Sequence, residues 1–197
     1  MAGRFVYWMN VSLDLKIESA PGDHGAGGWL RIGEDLHRAF NARARALSMM
    51  VQGRIIFEMM DPFWPDARND ESLMDYMREY GEIWTSMPKV LVSRTRTTAD
   101  HNTRVIGGED AIEQLAALRA ETDGAIGVGG ATIATQLRQA NLLDELVLYT
   151  HPVILGAGRP LFDDQPEQLE LDLIEQACYA QGVTLHRYAV RGAESGA

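Results

Sequence analysis

Strand and helix patterns alternate along this chain up to about residue 155, and two strand patterns then close it. The first strand pattern, Phe5–Met9, is rich in aromatic residues, and the first helical stripe runs over about Glu34–Leu47. Strand–helix alternation is typical of a parallel sheet with helices on both faces, whereas the closing strands form an antiparallel pair. We therefore predict an α/β fold: a single domain of three layers, α/β/α, with a mixed, mainly parallel sheet and an antiparallel C-terminal hairpin.

The other boundaries follow from apolar runs that end at glycine or proline. We predict strands at 48–51, 89–93, 105–106, 125–128, 146–155, 169–173 and 183–190, and helices at 55–60, 73–84, 112–118 and 132–140. The hairpin turns near Gln181–Gly182, and Asp144–Glu145 is predicted to be a solvated turn. The Gly-rich segment 20–28 is predicted to be a surface loop. No linker divides the chain, so the domain spans residues 1–190 and residues 191–197 form a flexible tail.

The charge balance excludes several classes of partner. Lys and Arg total 18 and Asp and Glu total 28, so the net charge is −10, which disfavours nucleic acids and anionic membranes. No apolar run reaches 18 residues and the N-terminus lacks a signal-peptide pattern, so we expect a cytoplasmic protein without a membrane span. One cysteine and five scattered histidines match no metal-binding spacing, so no metal site is predicted.

A glycine pair stands between a predicted strand and a predicted helix at Val128-Gly129-Gly130-Ala131-Thr132. Glycine lets the backbone approach a ligand closely, and the free N–H groups of the following helix attract a diphosphate. The segment is not the dinucleotide-binding fingerprint, because Thr132 stands where the third glycine belongs. The alternative is a tight turn that uses glycine for packing alone.

Two further motifs follow predicted strands. Gly53–Arg54 also leads from a strand into a helix, and Arg54 could sit over a phosphate or be merely solvated. Ser93-Arg94-Thr95 places a guanidinium between two hydroxyls, which suits a phosphomonoester such as the 2′-phosphate of NADP. The alternative is a polar strand end. If the strands are parallel, all three motifs share one sheet edge, which favours a phosphate-rich ligand.

These features, in this order, resemble the dihydrofolate-reductase-like superfamily. Within it they are most similar to the C-terminal reductase domain of the riboflavin-biosynthesis deaminase/reductase (the RibD C-terminal family) and its stand-alone relatives. The resemblance covers about residues 5–190. It rests on the segments Gly129–Phe162, Val51–Arg54 with Phe63–Pro65, Val90–Thr95 and Ser12–Asp14.

The resemblance implies an NADPH-dependent reductase that transfers a hydride to a small heterocyclic or carbonyl substrate. The implied cofactor-binding residues are Gly53, Arg54, Ser93, Arg94, Thr95, Val128, Gly129, Gly130, Ala131, Thr132 and Ile133. On the substrate side it implies Asn10, Ser12 and Trp64, with Asp14 as the catalytic candidate. The alternative for Asp14 is a carboxylate that caps a turn.

The sequence departs from the family pattern at two positions. Leu15 follows Ser-Leu-Asp where the family has glycine, and Ile56 replaces a threonine of the phosphate motif. These departures favour an alternative function, a binding or interaction module that keeps the fold and has lost catalysis. Relatives of this fold often self-associate, and the alternation over Leu169–Leu173 leaves an edge strand that a second copy could cover, so we expect a homodimer.

Overall fold

Eight strands form one sheet in the computed structural model, which describes residues 2–20, 22–23, 28–164 and 168–192. In chain order the strands are β1 Arg4–Ser12, β2 Leu47–Gly53, β3 Lys89–Val92, β4 Thr103–Ile106, β5 Ala125–Gly129, β6 Leu143–His151, β7 Leu171–Cys178 and β8 Thr184–Val190. The helices are α1 Glu34–Arg45, α2 Arg54–Met60, α3 Trp64–Ala67, α4 Asp75–Ser86, α5 Ala111–Glu121 and α6 Ala131–Gln139.

The strand order is β4-β3-β2-β5-β1-β6-β8-β7. The first six strands in this order are parallel, β8 is antiparallel to β6, and β7 is antiparallel to β8. The predicted mainly parallel sheet and its antiparallel C-terminal hairpin are therefore confirmed. The hairpin turns at Gln181–Gly182 as expected, and Gly182 there has a φ of 79°.

Helices cover both faces of the sheet. On one face, Leu115 of α5 and Leu137 of α6 pack against Phe5 and Val128 in one buried cluster. On the other face, α1, α2 and α4 cover β1, β2, β3 and β6 in two further clusters. We call these the α5/α6 face and the α1/α4 face. In the described part of the chain, no helix is long and apolar enough to cross a bilayer.

Several element boundaries differ from the prediction. β6 begins at Leu143 and ends at His151, so Asp144–Glu145 is not a solvated turn but a buried part of the strand. β7 begins at Leu171 and runs five residues beyond the predicted end. Most of the predicted Gly-rich loop and most of the predicted tail lie outside the described residues.

Candidate functional site

A cleft of about 780 Å³ runs along the carboxyl ends of the parallel strands. Parallel strands all end at one edge of a sheet, which is where open α/β sheets bind their ligands. The cleft is lined by residues of β1, β2, β3 and β5, by residues that follow β3 and β4, by residues of α1, α2, α4, α5 and α6, and by Trp29 and Trp64. Its volume lies in the range typical of cofactor and small-molecule pockets.

The floor of the cleft is made of glycine. Val128 of β5 pairs with Tyr7 of β1 on one side and with Val51 of β2 on the other, and these three residues face α5 and α6. Because side chains alternate along a strand, Gly127 and Gly129 face the opposite side. There β5 bears no side chain larger than the methyl group of Ala125, and the side chains of Leu47 and Ile56 lie over Gly127 and Gly129 instead.

The glycine pair after β5 forms an open helix start, as the sequence predicted. Gly130 has a φ of 110°, and no side chain caps the N-terminus of α6. Val128, Gly129, Gly130, Ala131, Thr132 and Ile133 all line the cleft. The N–H groups of the first turn have no partner within a helix, so they are available to an anionic ligand. The Thr132 hydroxyl is already engaged, since it donates to Asp163 over 2.7 Å.

The residues after β3 reach the same cleft. The Ser93 Oγ accepts hydrogen bonds from the backbone N–H groups of Thr95 (3.2 Å) and Arg96 (3.0 Å), which shapes the turn. Arg94 is exposed and makes no ion pair with any described residue. Its guanidinium is therefore free to meet a ligand at the rim of the cleft.

Gly53 and Arg54 also line the cleft, at the junction of β2 and α2. Arg54 does not stand free, because its Nη1 lies 2.6 Å from Glu58 Oε2 one helical turn later. An exposed pair of this kind contributes about 0.3–0.5 kcal/mol, so a phosphate can still displace the carboxylate.

The end of β1 divides the implied substrate residues into two groups. Asn10 lines the cleft, whereas the Ser12 hydroxyl is buried and donates to Asp14 Oδ1 over 2.7 Å. Asp14 also accepts the N–H groups of Leu155 (3.0 Å) and Gly156 (2.8 Å). The hydrogen bond from Ser12, followed by those from the backbone, lowers the pKa of Asp14 to about 2. Asp14 does not line the cleft. Its contacts match the alternative given above, a carboxylate that caps a turn.

Aromatic rings close the other end of the cleft over the α1/α4 face. Trp64, predicted on the substrate side, lies there with its ring 4.5 Å from that of Tyr80. His37 of α1 contacts both rings, at 5.9 Å to each. Trp8 and Phe40 complete this group. We call this end the aromatic half of the cleft.

His37 is held by a buried hydrogen-bond chain. The amide nitrogen of Asn41 donates to Tyr76 O (2.8 Å) and Glu79 Oε2 (2.5 Å), so Asn41 Oδ1 is the acceptor that faces His37 Nδ1 at 3.2 Å. His37 Nδ1 therefore carries a proton, and Nε2 is the ring nitrogen left for the cleft. Burial lowers the pKa of His37, partly opposed by the hydrogen bond to Asn41.

The residues that line the cleft and were not predicted as site residues include His37, Trp29 and Gln52. His37 looked like one of five scattered histidines, and Trp29 follows the Gly-rich segment without a motif of its own. Gln52 did carry a signal, because it is a polar residue inside the apolar strand pattern before Gly53. A polar residue in such a position needs a partner when it is buried.

The fold and the cleft define an α/β protein with a large cleft at the carboxyl edge of its sheet. The family model of the RibD C-terminal domain matches residues 5–185, so the chain belongs to that family. It is 27% identical over 181 residues to the Bacillus subtilis (strain 168) protein YyaP, which is uncharacterised, and the match covers 91% of each chain.

Solved structures share the fold at low sequence identity. A Shewanella sp. PV-4 protein named for riboflavin biosynthesis matches with a TM-score of 0.69 and 21% identity over 97% of this chain and 99% of that one. A Corynebacterium diphtheriae pyrimidine reductase-like protein matches with a TM-score of 0.60 and 14% identity over 95% and 91%. The Thermotoga maritima protein named as a deaminase and 5-amino-6-(5-phosphoribosylamino)uracil reductase matches with a TM-score of 0.63 and 15% identity over 96% of this chain and 57% of that one.

Proposed function

We propose that this chain is an NADPH-dependent reductase of a small heterocyclic or carbonyl compound. The observation that carries the proposal is the meeting of two unpaired phosphate-binding elements in one cleft: the uncapped start of α6 and the free guanidinium of Arg94. Membership of the RibD C-terminal family supports it, as do the reductase names of the T. maritima and C. diphtheriae neighbours.

The residues present fit the cofactor. The N–H groups at the start of α6 would hold the diphosphate, with Gly129 and Gly130 allowing close approach. Arg94, with the hydroxyls of Ser93 and Thr95, would hold the 2′-phosphate, and Gly53 and Arg54 would contact the phosphates from the β2 side. When bound, NADPH supplies the hydride.

The protein's own part is to exclude water and to supply a proton. The aromatic half removes the substrate from solvent, and this proposal places His37 beside it, where the Nε2–H of the protonated imidazole donates the proton. Asp14 does not take this part, because it is held as a carboxylate by Ser12, Leu155 and Gly156 outside the cleft.

Titration of the protein with NADPH and with NADH, followed by tryptophan fluorescence, tests the proposal. Arg94→Ala should weaken NADPH binding about 10- to 100-fold, the scale of about 1.5–3 kcal/mol for a charge-assisted hydrogen bond, and leave NADH binding unchanged. Arg104→Ala is the matched control, because Arg104 is also exposed but lies on β4 outside the cleft lining.

An unchanged NADPH affinity in Arg94→Ala would overturn the 2′-phosphate role. Tight NADPH binding without oxidation of NADPH by a panel of imines, lactams and carbonyl compounds would favour the alternative function, a binding module that has lost catalysis.

A further inference from the structure

An arginine from the segment after β6 lies beside the start of α6. Arg159 lines the cleft, and its Nη2 donates to the Thr132 hydroxyl over 2.8 Å. Because Thr132 is the second residue of α6, the guanidinium is next to the first turn of that helix. The Arg159 side chain is 25% exposed, so it is accessible to a ligand in the cleft.

Asp163 fixes the orientation of this guanidinium. Arg159 Nε donates to Asp163 Oδ1 over 2.9 Å, and Nη2 lies 2.8 Å from each carboxylate oxygen. Asp163 is itself held by α6, because its backbone N–H donates to the Thr135 hydroxyl (2.9 Å) and its Oδ2 accepts from Thr132 (2.7 Å). A planar guanidinium that a carboxylate binds along one edge presents its remaining N–H groups in a fixed direction.

The remaining nitrogen of the guanidinium has room for an acceptor. Arg159 Nη1 lies 3.8 Å from Glu18 Oε1, beyond hydrogen-bond distance, and makes no hydrogen bond to a described residue. Glu18 and Arg159 both line the cleft, so the two N–H groups of Nη1 lie at its wall. An anionic oxygen placed there would receive charge-assisted hydrogen bonds.

The backbone holds Arg159 in this position. Its carbonyl accepts the N–H of Ile17 over 2.8 Å. Gly158 lies so close to the chain after β1 that a Cβ there would come within 1.8 Å of the Glu18 carbonyl oxygen. The segment after β6 is therefore packed directly on the segment after β1, and the guanidinium meets the helix start without any loop closure.

We propose that Arg159 binds the diphosphate of the dinucleotide through Nη1, together with the N–H groups of the first turn of α6. This proposal rests on the reductase function proposed above and assigns part of the diphosphate binding to a side chain. NADPH and NADH share the diphosphate and differ in the 2′-phosphate. Arg159 therefore acts on both cofactors, whereas Arg94 acts on NADPH alone.

The test is titration of Arg159→Ala with NADPH and with NADH, followed by tryptophan fluorescence. We expect both affinities to fall by the same factor, about 10- to 100-fold, the order of a lost charge-assisted hydrogen bond. The NADPH-to-NADH ratio then stays at its wild-type value, whereas Arg94→Ala lowers it. ADP-ribose carries the diphosphate but neither the nicotinamide nor the 2′-phosphate. It should compete with NADH, and its affinity should fall by the same factor in Arg159→Ala.

Arg138→Ala is the matched control. Arg138 pairs with Asp164 of the same segment at 2.6 Å but does not line the cleft. Its replacement should leave both cofactor affinities unchanged, which separates the loss of a ligand contact from a loosening of the segment.

Glu18→Gln tests the proposal even if Arg159→Ala fails to fold. The change keeps the shape of the side chain and removes a negative charge beside Nη1, where the diphosphate is proposed to bind. NADPH and NADH should both bind about 3-fold more tightly, the order of a repulsion between unit charges across several ångströms of solvent. No gain in this variant would contradict the proposal.

Three outcomes with Arg159→Ala would overturn the proposal: unchanged affinity for both cofactors in a folded variant, a loss confined to NADPH, or a loss that Arg138→Ala reproduces. ADP-ribose that fails to compete in the wild-type protein, or that binds both proteins equally well, would also reject the diphosphate contact. In all these cases wild-type binding of NADPH leaves the reductase function standing. Wild-type protein that binds neither NADPH nor NADH would instead reject the proposed function itself.

Discussion

His37 shows how much of this chain's chemistry depends on single side chains brought together by packing. The imidazole is buried at the wall of the cleft. Glu79 on α4 accepts a hydrogen bond from the Asn41 amide nitrogen, and this turns the Asn41 amide oxygen towards His37. Glu79 raises its pKa and Arg38 lowers it, while the rings of Tyr76 and Tyr80 and of Trp64 surround it. Desolvation outweighs these effects, so the pKa of His37 lies below the usual value of about 6.5.

This environment predicts a pH profile for reduction. If protonated His37 supplies the proton, kcat/KM falls as the pH rises through its lowered pKa, because the proton-bearing form disappears. His37→Gln should lower kcat by about 10²–10⁴, the usual contribution of a general acid, flatten this limb of the profile and leave the NADPH affinity unchanged. Steady-state NADPH oxidation across pH, with an NMR titration of the His37 ring, checks both. A His37→Gln enzyme that keeps the wild-type limb would contradict this role.

His151 predicts acid destabilisation of the fold. It is fully buried at the end of β6, and burial, followed by the charge of Arg31, lowers its pKa from 6.5 to about 4. Between these values the unfolded chain binds a proton that the native chain does not, so stability is lost as the pH falls. At 1.36 kcal/mol per pKa unit, the loss amounts to about 3 kcal/mol by pH 4.

Urea unfolding at several pH values, with His151→Gln as the comparison, measures this contribution. The decrease between pH 6.5 and 4 should be smaller in the variant by about that amount. Parallel decreases in both proteins would show that other groups, such as the carboxylates, account for the acid sensitivity.

At the scale of elements, the sequence was informative wherever a local rule decides the structure. The glycine pair at the start of α6 was predicted correctly, because a φ of 110° at Gly130 is open to glycine almost alone. The predicted start of β6, residue 146, is three residues later than the observed start at Leu143. Asp144 and Glu145 read as solvated, but Arg119 pairs with Asp144 at 2.6 Å, and Arg187 pairs with Glu145 at 2.7 Å. Those partners come from α5 and β8, and their distance in sequence hides them.

The candidate site also has one part that local sequence rules predict and another part that only packing determines. The proposed phosphate-binding elements lie at strand ends and glycines, so local rules in the sequence predict that they meet, and they do line one cleft. That they bind phosphate stays a prediction. The pairing of Arg54 with Glu58 and the placement of Asp14 outside the cleft depend on side-chain geometry that no spacing encodes. Gln52 and Trp29 line one cleft only after folding, because they are 23 positions apart in the sequence.

At the scale of the whole molecule, the cleft exists because β5 lies between β1 and β2. This order places the glycines of β5 beside Trp8 and Gln52, which are 44 positions apart in the sequence. It also brings the ends of β3 and β5, with the residues proposed to bind phosphate, to the same edge as the aromatic half. Motif order alone does not determine strand order, so the sequence predicted a shared edge but not the shape of the cleft.

The far edge of the sheet predicts self-association. Among the described residues, β7 pairs on one side only, with β8, so one row of its backbone N–H and C=O groups has no strand partner there. Leu173 and Ile174 on this strand are each 50% exposed. We expect two copies to pair through β7, giving a light-scattering mass of twice 21.8 kDa.

Leu173→Glu should shift the protein towards monomer, because it places a further charge beside Asp172 and Glu175 on a chain whose net charge is already −10. Leu13→Glu, at a leucine that is 62% exposed in the turn after β1, is the matched control and should leave the mass unchanged. A wild-type mass near 21.8 kDa over the micromolar range would contradict the dimer. A Leu173→Glu variant that is still dimeric would instead show that the dimer interface lies elsewhere on the protein.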